Sequence, residues 1–419
     1  MSAITLDITR LGAEGDGIAE TANGPVYVPF SHPGDRLKVA VEKSQGTIMA
    51  ITEPSPDRIA PVCRHFGPDG ENGACGGCSL QHVDPALYAE FKRGLVVNAL
   101  RSKGIDVEVG ALIAAHPGER RRAVFAARKT EKELLLGFNQ AGSHHIVNIS
   151  ECAVLKPSIV ARLEDIRIVG RALAPNAEAF RMAVLETLTG LDISVEGMPK
   201  LSDQQRQSAI AIILKLRGIA RVSVDGEILI EPTRPIVRFG DIEASPPAGG
   251  FTQATVEAEE AMAELVSGIV GKAKAVADLF AGSGTFALRL AQQSKVHAVE
   301  GDAPSVAALE QAARKRQGLK PLTTERRDLF RRPMMASELK HFDAVVFDPP
   351  RAGAESQSKE LARSTVRKIA AVSCNPLTLA RDLSILVAGG YRVVAVTPID
   401  QFLWSPHVEV VAALERPKK

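Results

Sequence analysis

Aromatic residues make up only 4% of this 419-residue chain, with one Trp and three Tyr. Few side chains are therefore available as platforms on which bases could stack. An excess of charge of one sign is also missing: 51 Lys and Arg face 49 Asp and Glu, a formal net charge of +2. A whole-molecule field that gathers polyanions is thereby excluded, and any contact with nucleic acid has to come from local patches. No apolar run approaches the length of a membrane span, and the opening MSAITLDITR lacks the apolar stretch of a secretory signal. The expectation is a soluble, cytoplasmic protein with no membrane partner. Cysteine is scarce too, with five residues at 63, 75, 78, 152 and 374. An odd count without a secretory signal speaks against a disulfide framework.

What is present divides the chain into three expected regions. Residues 1–54 read as a small β module, because Gly12, Gly15, Gly17, Gly24 and Gly34 separate short alternating runs such as VYVPF (26–30) and LKVAVEK (37–43). Short strands divided by turns suit a small barrel. Residues 55–250 form a mixed α+β region that holds four of the five cysteines. Within it a helix is expected from about Ser202, and Asp225-Gly226 signals a hairpin between two apolar runs. Over 251–419, the runs VADLFA, VHAVE, DAVVFD, AAVSC and YRVVAV alternate with helical stretches such as SVAALEQAARKR and LTLARDLSILV. That alternation implies right-handed βαβ units, an α/β fold and a parallel sheet.

The run VADLFAGSGTFALRLA (276–291) reads as a strand entering a Gly-rich turn that opens a helix. Gly282 and Gly284 permit a tight turn and close approach of a ligand. The next strand-like run ends in Glu300, 18 residues after Gly282, where an acidic side chain can accept hydrogen bonds from ribose hydroxyls. To this point NAD and S-adenosylmethionine fit equally. VVFDPPR (345–351) separates them. Asp348 is expected at a strand's carboxyl end, where ligands of open α/β sheets bind, and two prolines stiffen the turn behind it. Asp-Pro-Pro at this place is typical of methyltransferases that act on bases.

AAVSCNPLTLARDL (370–383) puts Cys374 at the tip of the following strand, with a helix expected from about Leu377. Buried cysteines are more often packing than nucleophiles. Here the helix N-terminus is expected to lower the thiol pKa, and the strand end faces the same crevice as Asp348. Glu409, in SPHVEVVAAL (405–414), begins the last strand-like run and by itself is only a weak candidate for a base. The other cysteines are Cys63, Cys75 and Cys78, in the pattern C-x11-C-G-G-C, and Cys152 far downstream. Four thiolates suit either Zn²⁺ or a [4Fe–4S] cluster. One C-x2-C pair with two single cysteines is unlike a zinc ribbon, so the spacing leans towards iron–sulfur without deciding it. Two basic stretches are candidate phosphate contacts or plain solvated faces: Arg120, Arg121 and Arg122 with Arg128 and Lys129, and eight Lys or Arg against two acidic residues over 314–332.

Together, F-T-Q (251–253), D-L-F-A-G-S-G-T-F (278–286), V-E (299–300), R-D (327–328), D-P-P-R (348–351), S-C-N-P (373–376) and H-V-E (407–409) resemble the RNA 5-methyluridine methyltransferase family over nearly the whole chain. The resemblance implies a class I, Rossmann-like methyltransferase domain over 251–419 and a TRAM- or OB-like RNA-binding β-barrel over 1–54. It implies that Gln253, Phe280, Gly282, Gly284, Thr285, Glu300, Asp328 and Asp348 bind S-adenosylmethionine, with Cys374 as nucleophile and Glu409 as the group that removes a proton from C5. Ala281 departs from the family, many of whose members carry a small polar residue or Cys there. CRHFGPDGENGACGGCSLQH (63–82), YAEFK (88–92) and Cys152 resemble the cluster segment of the family's 23S ribosomal RNA enzymes. That implies a [4Fe–4S] cluster on Cys63, Cys75, Cys78 and Cys152, with a structural or RNA-positioning role.

A thiolate also suits the chemistry. C5 of uracil is a poor nucleophile until a thiolate adds to C6 and turns the ring into an enolate. A 5-methylcytosine enzyme usually has a second cysteine at the Asp-Pro-Pro position, and an exocyclic-amine methyltransferase an aromatic residue after Pro-Pro. Arg351 stands there instead. A radical methylthiotransferase needs C-x3-C-x2-C, which is absent. The expected substrate is 23S rRNA rather than DNA, and the expected state is a monomer. The alternatives are a tRNA uracil-5 methyltransferase or a non-catalytic RNA-binding assembly factor.

Overall fold

Three large β-sheets organise the protein, described over residues 3–417 in a computed structural model. The first has six strands in the order Ala3–Asp7, Arg36–Glu42, Gln45–Glu53, Gly24–Val28, Gly17–Thr21 and Arg10–Leu11. Alternation along Arg36–Glu42 turns Leu37 and Val39 inward, onto Leu6, Ile8, Val26 and Val28.

The second sheet has seven strands in the order Glu227–Ile230, Ile219–Val224, Gly190–Glu196, Ala179–Thr187, Arg122–Lys129, Leu134–Asn139 and Ile146–Asn148. Its Asp225-Gly226 hairpin forms as the sequence indicates. Val224 pairs with Glu227, and both turn residues are left-handed, with φ of 48° and 83°. The helix expected from Ser202 spans Asp203–Ile213, and Ser202 and Gln205 exchange reciprocal capping bonds at its start.

The third sheet runs Leu322–Arg326, Lys295–Glu300, Ala275–Leu279, Ala344–Phe347, Lys368–Ser373, Glu409–Glu415 and Arg392–Ile399. Helices cover both of its faces, so central strands such as Ala344–Phe347 are buried throughout and read as unbroken apolar runs. Leu322–Arg326 escapes the sequence reading because it is a half-exposed edge strand rich in polar residues. One strand, Glu409–Glu415, runs against both of its neighbours, whereas the others are parallel. Its first residue therefore lies at the same end of the sheet as the last residues of Ala275–Leu279, Ala344–Phe347 and Lys368–Ser373.

A helix from the first quarter of the chain joins this C-terminal core. Pro85–Arg101 is capped by Asp84, and its Val96, Ala99 and Leu100 pack into one cluster with Leu383, Leu386 and Tyr391. Val109 and Ile113 then bridge to Val396 and Ile399. Among the described residues, no helix is long and apolar enough to cross a membrane.

Candidate active site

Leu279 ends its strand, and Phe280 takes φ of 61°, a left-handed conformation uncommon for a bulky residue. The chain then turns at Gly282, also left-handed at 53°, where an added Cβ would meet nothing within 4 Å. Gly284 serves packing instead, since a Cβ there would stand 2.5 Å from Leu309 Cδ1. Glu300 Oε2 accepts a hydrogen bond from Gly282 N at 2.9 Å, tying the two strand ends together. Asp328 Oδ1 accepts from the backbone of Phe330 at 3.0 Å, and the Phe330 and Phe280 rings lie 5.4 Å apart. Thr285 presents its carbonyl to Arg289.

Several buried polar atoms around this turn have no partner: both carboxylate oxygens of Asp278, Thr252 Oγ1, Gln253 Oε1 and Ser283 Oγ. Burial, with Asp348 nearby, pushes the Asp278 carboxyl well above the usual carboxylate range. Unpartnered donors and acceptors beside an open glycine turn are what a polar ligand would satisfy. Asp278 lies inside the D-L-F-A-G-S-G-T-F run, but the sequence gives no sign that it is buried without a partner.

Asp348 follows the fully buried Ala344–Phe347 strand and accepts from Gln253 Nε2 at 3.1 Å. Burial pushes it up to about 7, against the opposing hydrogen bond from Gln253. Cys374 follows Lys368–Ser373 and precedes Asn375, which caps the helix Pro376–Ala388 through Leu377 N. The helix was expected to lower the Cys374 pKa. Instead burial, with Glu409 and Asp348 facing the thiol, pushes it up to about 11, and Arg351 opposes them only in part. Glu409 is 2% exposed and accepts from Gln401 Nε2 at 2.9 Å. Burial and Asp348 hold its carboxyl well above the usual range. Cys374 opens on a cleft of about 1110 Å³, walled by Arg10, Tyr27 and Gln45 of the N-terminal sheet and by Phe91 and Asn98 of the Pro85–Arg101 helix.

Cys63, Cys75, Cys78 and Cys152 line a second cavity, of about 590 Å³, with Phe66, Phe138 and Arg120. Burial raises all four thiols, Cys75 to about 11, and neighbouring cysteines raise Cys75, Cys78 and Cys152 further. Among the described residues, no group of three or more His, Cys, Asp or Glu is arranged to hold a metal ion.

The profile of the family described as tRNA (Uracil-5-)-methyltransferase matches residues 199–417, just over half of the chain, and that of the TRAM domain matches residues 2–48. The chain belongs to this family. Its members are S-adenosylmethionine-dependent RNA methyltransferases, and the acceptor is C5 of uracil. An uncharacterized RNA methyltransferase of Agrobacterium fabrum is 65% identical, over 99% of this chain and 100% of the relative. The 23S rRNA (uracil(1939)-C(5))-methyltransferase of Pectobacterium atrosepticum is 29% identical, over 98% and 93%. Among solved structures, the Pyrococcus abyssi tRNA (uracil-54, C5)-methyltransferase, in complex with S-adenosyl-L-homocysteine, superposes with a TM-score of 0.73 at 23% identity. It covers 98% of this chain and 99% of its own, so the two share a fold along their length.

The basic stretches of this family member make several contacts within the chain, although the Arg314, Arg331 and Arg332 side chains stay mostly exposed. Arg121 is buried, donating to Gln253 O at 3.1 Å and to Glu259 Oε2 at 2.7 Å. Glu259 also receives Arg289, whose other arm binds Thr285 O. Arg120 stands over the Phe402 ring and Arg122 over Phe251. In 314–332, Arg314, Arg316, Arg327, Arg331 and Arg332 pair with carboxylates.

Proposed function

We propose that the protein methylates C5 of a uridine in 23S ribosomal RNA, acting as a monomer, with Cys374 as covalent nucleophile and Glu409 as the acceptor of the C5 proton. The observation that carries this reading is the meeting of Cys374, Asp348 and Glu409 at one end of the sheet, with Cys374 opening on a cleft that the N-terminal RNA-binding module also lines. The target uracil has to leave its stack to reach Cys374, and the cleft of about 1110 Å³ is large enough to admit a nucleotide. The Cys374 thiolate adds to C6, and the C5=C6 pair moves into an enolate. Bound S-adenosylmethionine supplies a sulfonium methyl group, which C5 can take once it carries that electron density. Glu409 then removes the proton from C5, the C–H pair restores the C5=C6 bond, and the S–C6 bond breaks to return the thiolate.

The unpartnered atoms of Asp278, Thr252, Gln253 and Ser283 and the open face of Gly282 fit a polar cofactor. Gln253, Phe280, Gly282, Gly284, Thr285, Glu300, Asp328 and Asp348 would hold it. The assignment to 23S rRNA draws on the Pectobacterium relative and on the four-cysteine segment. Mapping 5-methyluridine in a deletion strain tests it. Loss from 23S rRNA alone is expected, and loss from tRNA alone would overturn the assignment.

Cys63, Cys75, Cys78 and Cys152 would hold a [4Fe–4S] cluster. In support, the four thiols line one cavity. Protein purified without air should be brown and carry iron and sulfide. Colourless protein with one zinc per chain would refute the cluster.

A further inference from the structure

Glu409 begins its strand, yet its carboxylate is held from elsewhere. Gln401 Nε2 donates to Glu409 Oε2 at 2.9 Å. The other end of the same amide is engaged as well, with Gln401 Oε1 accepting from Ala254 N at 2.6 Å. A backbone N–H can only donate, so this contact fixes which end of the amide faces Glu409. Ala254 follows Gln253, whose side chain donates to Asp348, so a buried Gln401 joins the supports of both carboxylates.

The segment that carries Gln401 is clamped. Asp400 accepts from Tyr88 Oη at 2.8 Å and from Lys92 Nζ, both on the Pro85–Arg101 helix. Lys92 donates again to Phe402 O at 3.0 Å. Trp404 is left-handed, with φ of 56°. Its N–H donates to Tyr88 Oη at 2.8 Å, and its carbonyl accepts from Ser79 N and Leu80 N at 2.8 and 3.1 Å. Backbone strain of this kind persists only where the surroundings over-determine it, and it gathers at functional sites.

We infer that Gln401 is a positioning residue for Glu409, held in place by the clamped segment 400–404 so that the carboxylate faces C5 in a form able to take the proton. This rests on the reading of Glu409 as proton acceptor. Asp348 and Cys374 face Glu409 from the two strands beyond it, and burial and Asp348 both favour its protonated form. The Gln401 N–H favours the ionised form, so its removal leaves the carboxylate protonated to higher pH. Slower proton removal keeps the methylated uracil bonded to Cys374, as a protein–RNA adduct that survives denaturing gels.

The test uses the full-length protein, a 23S rRNA transcript and methyl-labelled S-adenosylmethionine. Glu409→Gln and Gln401→Leu should both accumulate labelled adduct. Gln401→Leu should release methylated RNA roughly tenfold to a hundredfold more slowly than the parent protein. Its release profile should also move to higher pH, which a merely structural role would not cause. Adduct in Glu409→Gln together with parental release and an unshifted profile in Gln401→Leu would overturn the inference while sparing the role of Glu409. Absence of adduct in Glu409→Gln would refute that role and the inference with it. If Gln401→Leu does not fold, Gln401→Asn, which keeps an amide but shortens its reach, replaces it under the same criteria.

Discussion

Cys374 and the four upstream cysteines are all pushed above the ordinary thiol range by burial, but they keep different company. Cys374 faces the carboxyls of Glu409 and Asp348 and opens on a cleft. Cys75 and Cys78 are raised further by other cysteines, inside a cavity walled by Phe66 and Phe138. A thiol opposed by carboxyls gains its charge when protons move or a cation enters beside it. Thiols opposed by one another ionise together only around shared positive charge. In the roles proposed above, the same side chain serves two chemistries, and neighbours decide which.

The largest effect is expected at the cleft. Cys374→Ala should lower methylation by more than roughly a thousandfold, as loss of a covalent nucleophile does. It should leave S-adenosylhomocysteine binding, measured by calorimetry, and the visible absorption of the purified protein unchanged. If it also bleached the protein, the two cysteine regions would not be independent. Cys78→Ser should act in the opposite sense, abolishing the visible absorption and lowering the melting temperature while retaining measurable methyl transfer. Complete loss of transfer in folded, colourless Cys78→Ser protein would erase the division of labour.

The smallest effect concerns pH. Asp348 holds its proton up to about 7 in the folded protein, against 3.8 when unperturbed. Between those values the folded state binds the extra proton, so stability falls as pH rises, by up to about 1.4 kcal/mol per pH unit from this group. Asp348→Asn should flatten that part of the stability profile in ligand-free protein, measured by urea unfolding from pH 4 to 7. An identical slope in parent and variant would show that Asp348 is ionised throughout.

Much of the cofactor turn was legible because its chemistry is contiguous. Gly282 and Gly284 stand where a left-handed turn and a close helix need them, and Glu300 closes the turn through Gly282 N. Gln401 was not legible. Its role depends on Ala254 and Glu409, which approach it from other parts of the chain. The Arg120–Arg122 stretch was not resolved by sequence either, since a run of arginines looks the same whether its guanidiniums meet phosphate or, as Arg121 does, Glu259.

By itself, the sequence determined the α/β alternation, the Asp225-Gly226 hairpin, the Gly-rich turn and the positions of Asp348 and Cys374 at strand tips. These follow from backbone preferences acting over a few residues. Only the tertiary structure decided that Glu409–Glu415 runs against its neighbours, which brings Glu409 to the end of the sheet that Cys374 and Asp348 occupy. It also decided the sign of the Cys374 shift, because burial and the facing carboxyls raise the thiol more than Arg351 lowers it. Charge and dielectric act through space, and the chain does not set those distances until it has folded.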